Sequence, residues 1–255
     1  MTTLVAIVAV AVLGIPLLLF LAQDRLLFFP QPLSEAQRAR VPAKEIFLAT
    51  DGAKVHAWHV PGEPLVLYFG GNAEDVSWMV EQARRNAPGS GWLLVSYRGY
   101  GGSEGSPSAK NISEDALRWY DHARDELKAK RIFVFGRSLG SGAAVHVAAN
   151  RPVAGAILVT PFDTLSAVAG RHYPFLPVGM MLRHRFDSVD LAPRIQAPLL
   201  CIAAAQDTVI PPAHARRLHD AWGGAKRWML LEGAGHNSTD GMPGFWQAIT
   251  EFLKQ

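Results

Sequence analysis

The chain has 255 residues, 49% of them hydrophobic and 18% charged, with a net charge of +3, enough for one large domain with a substantial core. No cluster of Lys and Arg with interleaved aromatics is present, which argues against a nucleic-acid partner. A single cysteine, Cys201, excludes an internal disulfide framework, and its apolar surroundings, residues 199–203, place it in a buried strand.

Residues 4–22 carry no charge and are long enough to cross a bilayer core as a helix. A cleaved signal peptide is the rival, but no Lys or Arg precedes the run and no A-x-A site follows it. A buried core helix would show some polar positions. Residues 23–30 are amphipathic and aromatic, suited to a membrane interface. The expected organisation is an N-terminal transmembrane anchor at 1–24, a linker at 25–43 marked by Pro30, Pro32 and Pro42, and a catalytic domain at 44–255. Arg25, Arg38, Arg40 and Lys44 follow the anchor closely, and this positive excess puts the domain on the cytoplasmic side of a single-pass membrane protein.

After the linker, strand-like and helix-like segments alternate, the pattern of an α/β fold with a mostly parallel sheet covered on both faces. Two strand-like runs around Asp51-Gly52 predict an opening antiparallel hairpin, with both turn positions at positive φ. Residues 65–69 predict a strand ending in Gly70-Gly71-Asn72-Ala73, then a helix. A turn there can present a backbone N–H to a developing oxyanion; Asn72 is the preferred donor and Gly71 the second. Further strands are expected at 92–96, 132–135, 156–159, 199–203 and 228–231. A helix is expected from Asn111, capped by its side chain with Glu114 reaching back, to about Lys130.

The decisive motif is Gly136-Arg137-Ser138-Leu139-Gly140 between a buried strand and an Ala-rich helix. A serine on such a sharp strand-to-helix turn has a strained backbone and an exposed hydroxyl, and the helix N-terminus adds the N–H of Leu139. Residues 162–190 then break the rhythm. Residues 173–182 are apolar but hold two prolines that a central strand cannot accommodate, so this is read as a small cap after the sixth strand, with Tyr173, Phe175, Leu176 and Met181 facing the substrate.

Serine needs a base, and its base needs an orienting acid. His236 lies in a small-residue loop after the last strand, C-terminal to the serine as the order Ser…Asp…His requires. Asp207, at the end of residues 199–205, is the preferred acid over Asp163, Asp187 and Asp190. His56, His59, His122, His214 and His219 are read as ordinary packing or surface residues, and His146 as a core or interface residue of the helix after Ser138. No His spacing suggests a metal, and no cofactor is expected.

Taken together, Gly70-Gly71-Asn72, Ser96-Tyr97-Arg98-Gly99-Tyr100-Gly101, Gly136-Arg137-Ser138-Leu139-Gly140, Asp207 and His236 resemble the α/β-hydrolase superfamily, most closely its membrane-anchored ABHD-type, serine aminopeptidase-like members. The resemblance covers about residues 25–255 and implies an eight-stranded sheet and acyl transfer to water through an acyl-serine. Two departures stand out: Gly70 replaces the usual His before the Gly-Asn pair, and Ala204-Ala205 replace a His-Gly ahead of the acid. The expected activity is hydrolysis of carboxylic esters or thioesters of acyl or lipid-like substrates. Peptidase action is the alternative, and a non-catalytic scaffold the third.

Overall fold

The structure is a computed structural model that describes residues 14–255. The first helix, α1 (Ile15–Leu27), leads into a short α2 (Glu35–Arg38). The opening hairpin is β1 (Lys44–Thr50) and β2 (Ala53–Val60), followed by β3 (Leu65–Phe69), α3 (Trp78–Asn86) and β4 (Gly91–Ser96). Then come α4 (Ala109–Asp125), β5 (Ile132–Arg137), α5 (Gly140–Asn150) and β6 (Gly155–Val159). Three short helices, α6 (Leu165–His172), α7 (Val178–Met181) and α8 (Ser188–Leu191), precede β7 (Leu199–Ala204), α9 (Pro212–Ala221), β8 (Lys226–Leu231) and α10 (Phe245–Leu253).

All eight strands form one sheet in the order β1-β2-β4-β3-β5-β6-β7-β8, antiparallel only where β2 meets β1 and β4. Strand periodicity explains how the sheet supports two cores. Leu65, Leu67 and Phe69 of β3 point to the face covered by α4, α5 and α9, with Trp119, Ala144 and Leu218. Val66 and Tyr68 point to the opposite face, covered by α3 and α10 with Met79, Ile249 and Phe252. Cys201 belongs to the first of these cores, and burial pushes its thiol pKa up, consistent with an inert packing residue.

Several local expectations are revised. The hairpin forms with Thr50 opposite Ala53, but only Gly52 takes positive φ (+78°), so the turn is not the doubly left-handed type. The Asp51 carbonyl instead accepts from Arg98 Nη1 at 3.1 Å, an external tie that holds the loop in another shape. Helix α4 starts two residues before Asn111: Ser108 is extended and its Oγ accepts the Asn111 N–H at 3.0 Å, so serine, not asparagine, is the cap. It also ends earlier, at Asp125.

Most of the expected anchor, residues 1–13, lies outside the described residues. Among the described residues no helix is long and apolar enough to cross a membrane. Helix α1 continues past residue 24 to Leu27 and is fastened to the folded domain. Gln23 is buried, donating to the Met181 carbonyl at 2.8 Å and accepting the Arg183 N–H at 2.8 Å. Asp24 pairs with Arg183 at 3.0 Å and with His184 at 2.5 Å. Its outward side leaves Leu17, Leu18 and Leu21 exposed. In the expected linker, Phe28 is buried and Ser34 with Gln37 forms a capping box on α2.

Candidate active site

Ser138 sits between β5 and α5 with φ of +50°, a left-handed backbone uncommon for a residue with a side chain. The turn is possible because its flanks are glycine. A Cβ on Gly136 would lie 2.4 Å from the Gly140 carbonyl oxygen, and one on Gly140 would lie 2.0 Å from that of Phe69. The Ser138 N–H bonds to the Val159 carbonyl at 2.9 Å, and Ser141 Oγ donates to the Ser138 carbonyl at 2.6 Å.

The structure brings Ser138, His236 and Asp207 together. His236 Nε2 lies 2.9 Å from Ser138 Oγ, and Nδ1 lies 2.7 Å from Asp207 Oδ2. A carboxylate can only accept, so Nδ1 carries the proton and Nε2 is left to accept from the serine hydroxyl. The other Asp207 oxygen, Oδ1, takes the N–H groups of Val209 at 2.9 Å and Ile210 at 2.7 Å, which locks its orientation. The two loops are sewn together by Gln206 N–H to the Ala234 carbonyl at 2.8 Å and Ala205 N–H to Leu231 at 3.1 Å.

Of the rival acids, Asp163 is buried and committed elsewhere: its Oδ1 meets His214 Nδ1 at 2.7 Å and its Oδ2 meets Arg217 at 2.5 Å. Burial alone would raise its pKa, but these partners and the Thr164 N–H outweigh it and hold the carboxyl below the usual range. His214, read as an ordinary packing or surface residue, is thus one of three side chains joined by hydrogen bonds, with Asp163 and Arg217. His56 too is buried, with Nδ1 3.2 Å from Ser96 Oγ and Nε2 3.2 Å from Glu45.

Two cavities meet at the serine and share Asn72, Ser138 and Val209. One, about 600 Å³, is polar and charged, lined by Glu74, Trp78, Arg137, Asn237 and Asp240. The other, about 520 Å³, is apolar, lined by Leu26, Leu27, Phe162, Val168, Tyr173 and Ile210. A smaller apolar cavity of about 150 Å³, lined by Leu19, Gln23, Leu176 and Met181, shares Leu26, Leu27, Ala169 and Tyr173 with it.

The oxyanion expectations divide. The backbone N–H groups of Leu139 and Asn72 have no protein acceptor among the described residues. Gly71 is corrected: its N–H donates to Glu74 Oε2 at 2.5 Å and is not available. Among the cap residues, Tyr173 lines the apolar cavity at Ser138, whereas Leu176 and Met181 face α1. Phe175 is corrected as well: it is 98% exposed and lines none of these cavities. Leu26 and Leu27 of the N-terminal helix were not anticipated as site residues. Their position in the amphipathic stretch 23–30 carried no signal, since they reach the cavity at Ser138 only after the chain folds back. Among the described residues no group of His, Cys, Asp and Glu is arranged to hold a metal.

A doubly covered, mostly parallel sheet with a serine on a strand-to-helix turn defines an α/β-hydrolase fold. A serine hydrolase family profile matches residues 110–255. An uncharacterized protein of Mycobacterium tuberculosis is 34% identical over 98% of this chain and 94% of its own length. An alpha/beta hydrolase domain-containing protein of Arabidopsis thaliana, WAV2, is 30% identical over 82% of this chain and 78% of its own. Among solved structures, an esterase of Pyrococcus furiosus superposes with a TM-score of 0.67 at 19% identity, covering 88% of this chain and 98% of that one. The chain belongs to the serine hydrolase family of the α/β-hydrolase superfamily, and it is a hydrolase.

Proposed function

We propose that the protein hydrolyses carboxylic esters or thioesters of acyl, lipid-like substrates through an acyl-serine on Ser138. His236 takes the hydroxyl proton as Oγ attacks the carbonyl carbon, then delivers it to the leaving oxygen or sulfur. Asp207 fixes the tautomer and stabilises the imidazolium. The N–H groups of Leu139 and Asn72 receive the oxyanion. Water, deprotonated by His236, then attacks the acyl carbon and releases the acid. No metal or cofactor is called upon.

The single observation that carries this reading is the placement of the Ser138 hydroxyl, 2.9 Å from His236 and at the junction of an apolar and a polar cavity. The apolar cavity fits an acyl chain, and the polar one a hydrophilic leaving group. The peptidase alternative would need Glu74 or Asp240 to hold a free amino terminus. Glu74 already accepts from Gly71, Tyr68 and Trp78, and Asp240 lies 3.6 Å from Arg137, so the ester reading is favoured.

Residues 4–22 are read as an uncleaved anchor that tethers this domain to a membrane, on its cytoplasmic side. The exposed Leu17, Leu18 and Leu21 support contact with lipid. A reporter fused to Gln255 and active only after export tests the orientation. Labelling by a fluorophosphonate probe tests the chemistry, followed by p-nitrophenyl esters of graded chain length. A protein that ignores the probe, or labels equally as Ser138→Ala, is not this enzyme.

A further inference from the structure

The segment Ser96-Tyr97-Arg98-Gly99-Tyr100-Gly101 stands out in the sequence, yet none of its side chains reaches Ser138. In the structure its two tyrosines converge on the turn after β3. Tyr97 Oη donates to the Gly70 carbonyl at 2.7 Å, and Tyr100 Oη donates to Asn72 Oδ1 at 2.7 Å. Both rings are buried and packed edge to face, with centroids 5.6 Å apart. Glu74 closes the turn from the other side. Its Oε2 accepts the Gly71 N–H at 2.5 Å, while Tyr68 Oη at 2.6 Å and Trp78 Nε1 at 3.0 Å hold its Oε1. The end of α1 adds a fourth tie: Asn72 Nδ2 donates to the Leu27 carbonyl at 2.5 Å, and the Phe29 N–H bonds both Asn72 Oδ1 at 3.1 Å and Tyr100 Oη at 3.0 Å.

This turn needs outside support. Ala73 has φ of +59°, a conformation an alanine leaves when nothing holds it. Gly70, Gly71 and Asn72 are each fixed by side chains outside these three residues, yet the Asn72 backbone N–H is left without a protein acceptor among the described residues. The absent side chain at residue 70 belongs to the same arrangement. A Cβ on Gly70 would lie 2.7 Å from Val76 Cγ1 and 3.1 Å from Glu74 Cδ, so Val76 and, less closely, the carboxyl of Glu74 occupy the room that a larger residue would need.

We propose that Tyr97, Tyr100 and Glu74 are positioning residues of the oxyanion site, clamping Gly70, Gly71 and Asn72 so that the Asn72 N–H points at the developing oxyanion, with the end of α1 as part of the clamp. This rests on the assignment of Ser138 and the Asn72 N–H made above. Preorganised donors stabilise a transition state because they need not reorient as charge develops, and losing one outright costs about 10²–10³ in kcat. A donor loosened but not removed costs less. Burial pushes both phenols up, Tyr100 to about 12, so each hydroxyl keeps its proton and remains a donor at neutral pH.

The test uses the full chain in detergent and five variants: Tyr97→Phe, Tyr100→Phe, Asn72→Ala, Glu74→Gln and Glu74→Ala. Each is measured for kcat and KM on a p-nitrophenyl ester and for Ki with a trifluoromethyl ketone of the same acyl chain. The ketone's adduct with Ser138 places an oxyanion where the transition state does, whereas KM for the ester does not report on it. Asn72→Ala keeps the backbone N–H, so any loss belongs to the side chain's ties. We expect kcat to fall about ten- to hundredfold in Tyr100→Phe and Asn72→Ala, with KM within about threefold and Ki rising in proportion to the loss of kcat. Glu74→Gln, which keeps one acceptor oxygen, should lose less than Glu74→Ala. If Tyr100→Phe does not fold, Asn72→Ala and Glu74→Gln carry the same comparison. Unchanged kcat and Ki in folded variants would overturn the clamp while leaving the hydrolase assignment intact. Failure of the wild type to label with a fluorophosphonate would instead bring down the hydrolase assignment itself.

Discussion

Ser138, the proposed nucleophile, is held in a conformation it would avoid elsewhere. Its φ of +50° costs on the order of 1–3 kcal/mol, sustained by the hydrogen bond to Val159 and by the glycines on both sides. Ser138→Gly should therefore abolish ester turnover while raising stability by about 1 kcal/mol, since glycine takes positive φ without penalty; urea unfolding of the two proteins checks it. Ser138→Ala and His236→Ala should each lower kcat on the order of 10⁴–10⁶-fold, and the double variant should be no worse, because the members act as a unit. Asp207→Asn should lose on the order of 10⁴-fold through the wrong imidazole tautomer. Asp163→Asn should retain far more, because Asp163 faces His214 and Arg217 and not the imidazole at the serine. The reverse result would transfer the orienting role to Asp163.

At the scale of elements, the surprise is that the N-terminal helix belongs to the catalytic domain's wall. Helix α1 presents Leu19, Gln23, Leu26 and Leu27, spaced along one helical face, to the cap, and the last two also line the cavity at Ser138. The cap contributes Tyr173 to that cavity but turns Phe175 into solvent. Leu26→Ala and Tyr173→Ala should thus change the ratio of long- to short-chain ester rates by about tenfold, the value of a few buried methylenes, whereas Phe175→Ala should leave it unchanged. A shift with Phe175→Ala and none with Leu26→Ala would place the acyl chain on the other side of the cap.

For the whole molecule, the antiparallel end of the sheet carries a pH liability. His56 is fully buried in β2, and burial lowers its pKa to about 4 against the opposing pull of Glu45. A folded pKa below the unfolded value of about 6.5 means that the unfolded chain takes up the proton first. Stability is complete above about pH 6.5 and declines as the pH falls towards 4, by up to about 3 kcal/mol. His56→Gln should flatten that decline in urea unfolding, and an unchanged slope would assign it to other groups. A second buried pair, Arg98 with Asp115 at 2.7 Å, ties the loop after β4 to α4. Asp115→Ala would leave a buried guanidinium unpaired and should cost about 3–5 kcal/mol.

The strand-and-helix alternation, the hairpin at Asp51-Gly52 and the serine turn are legible in the chain because each depends on neighbours within a few residues. Periodicity, turn residues and the glycines around Ser138 are local constraints. Asp207 and His236 follow from chain order, since both lie in loops after strands on one edge of a parallel sheet. What stayed out of reach were the choices among neighbouring side chains and most of the contacts between distant segments. The cap of α4 shifted to Ser108 because the real boundary is set by which side chain reaches the free N–H groups. Gly71 lost its N–H to Glu74 three residues on, and Phe175 lies outside the cavities, outcomes that residue type alone does not fix. Tyr97 meets Gly70 across 27 residues of chain, Tyr100 meets Asn72 across 28, and Leu27 meets Asn72 across 45. The sequence by itself determined which groups are the candidates for the chemistry, because nucleophile, base and acid are a matter of residue type and order. Only the tertiary structure decided what holds the turn at Gly70-Gly71-Asn72 and what walls the apolar cavity at Ser138, because those depend on hydrogen bonds and packing between segments that are neighbours only once the sheet has formed.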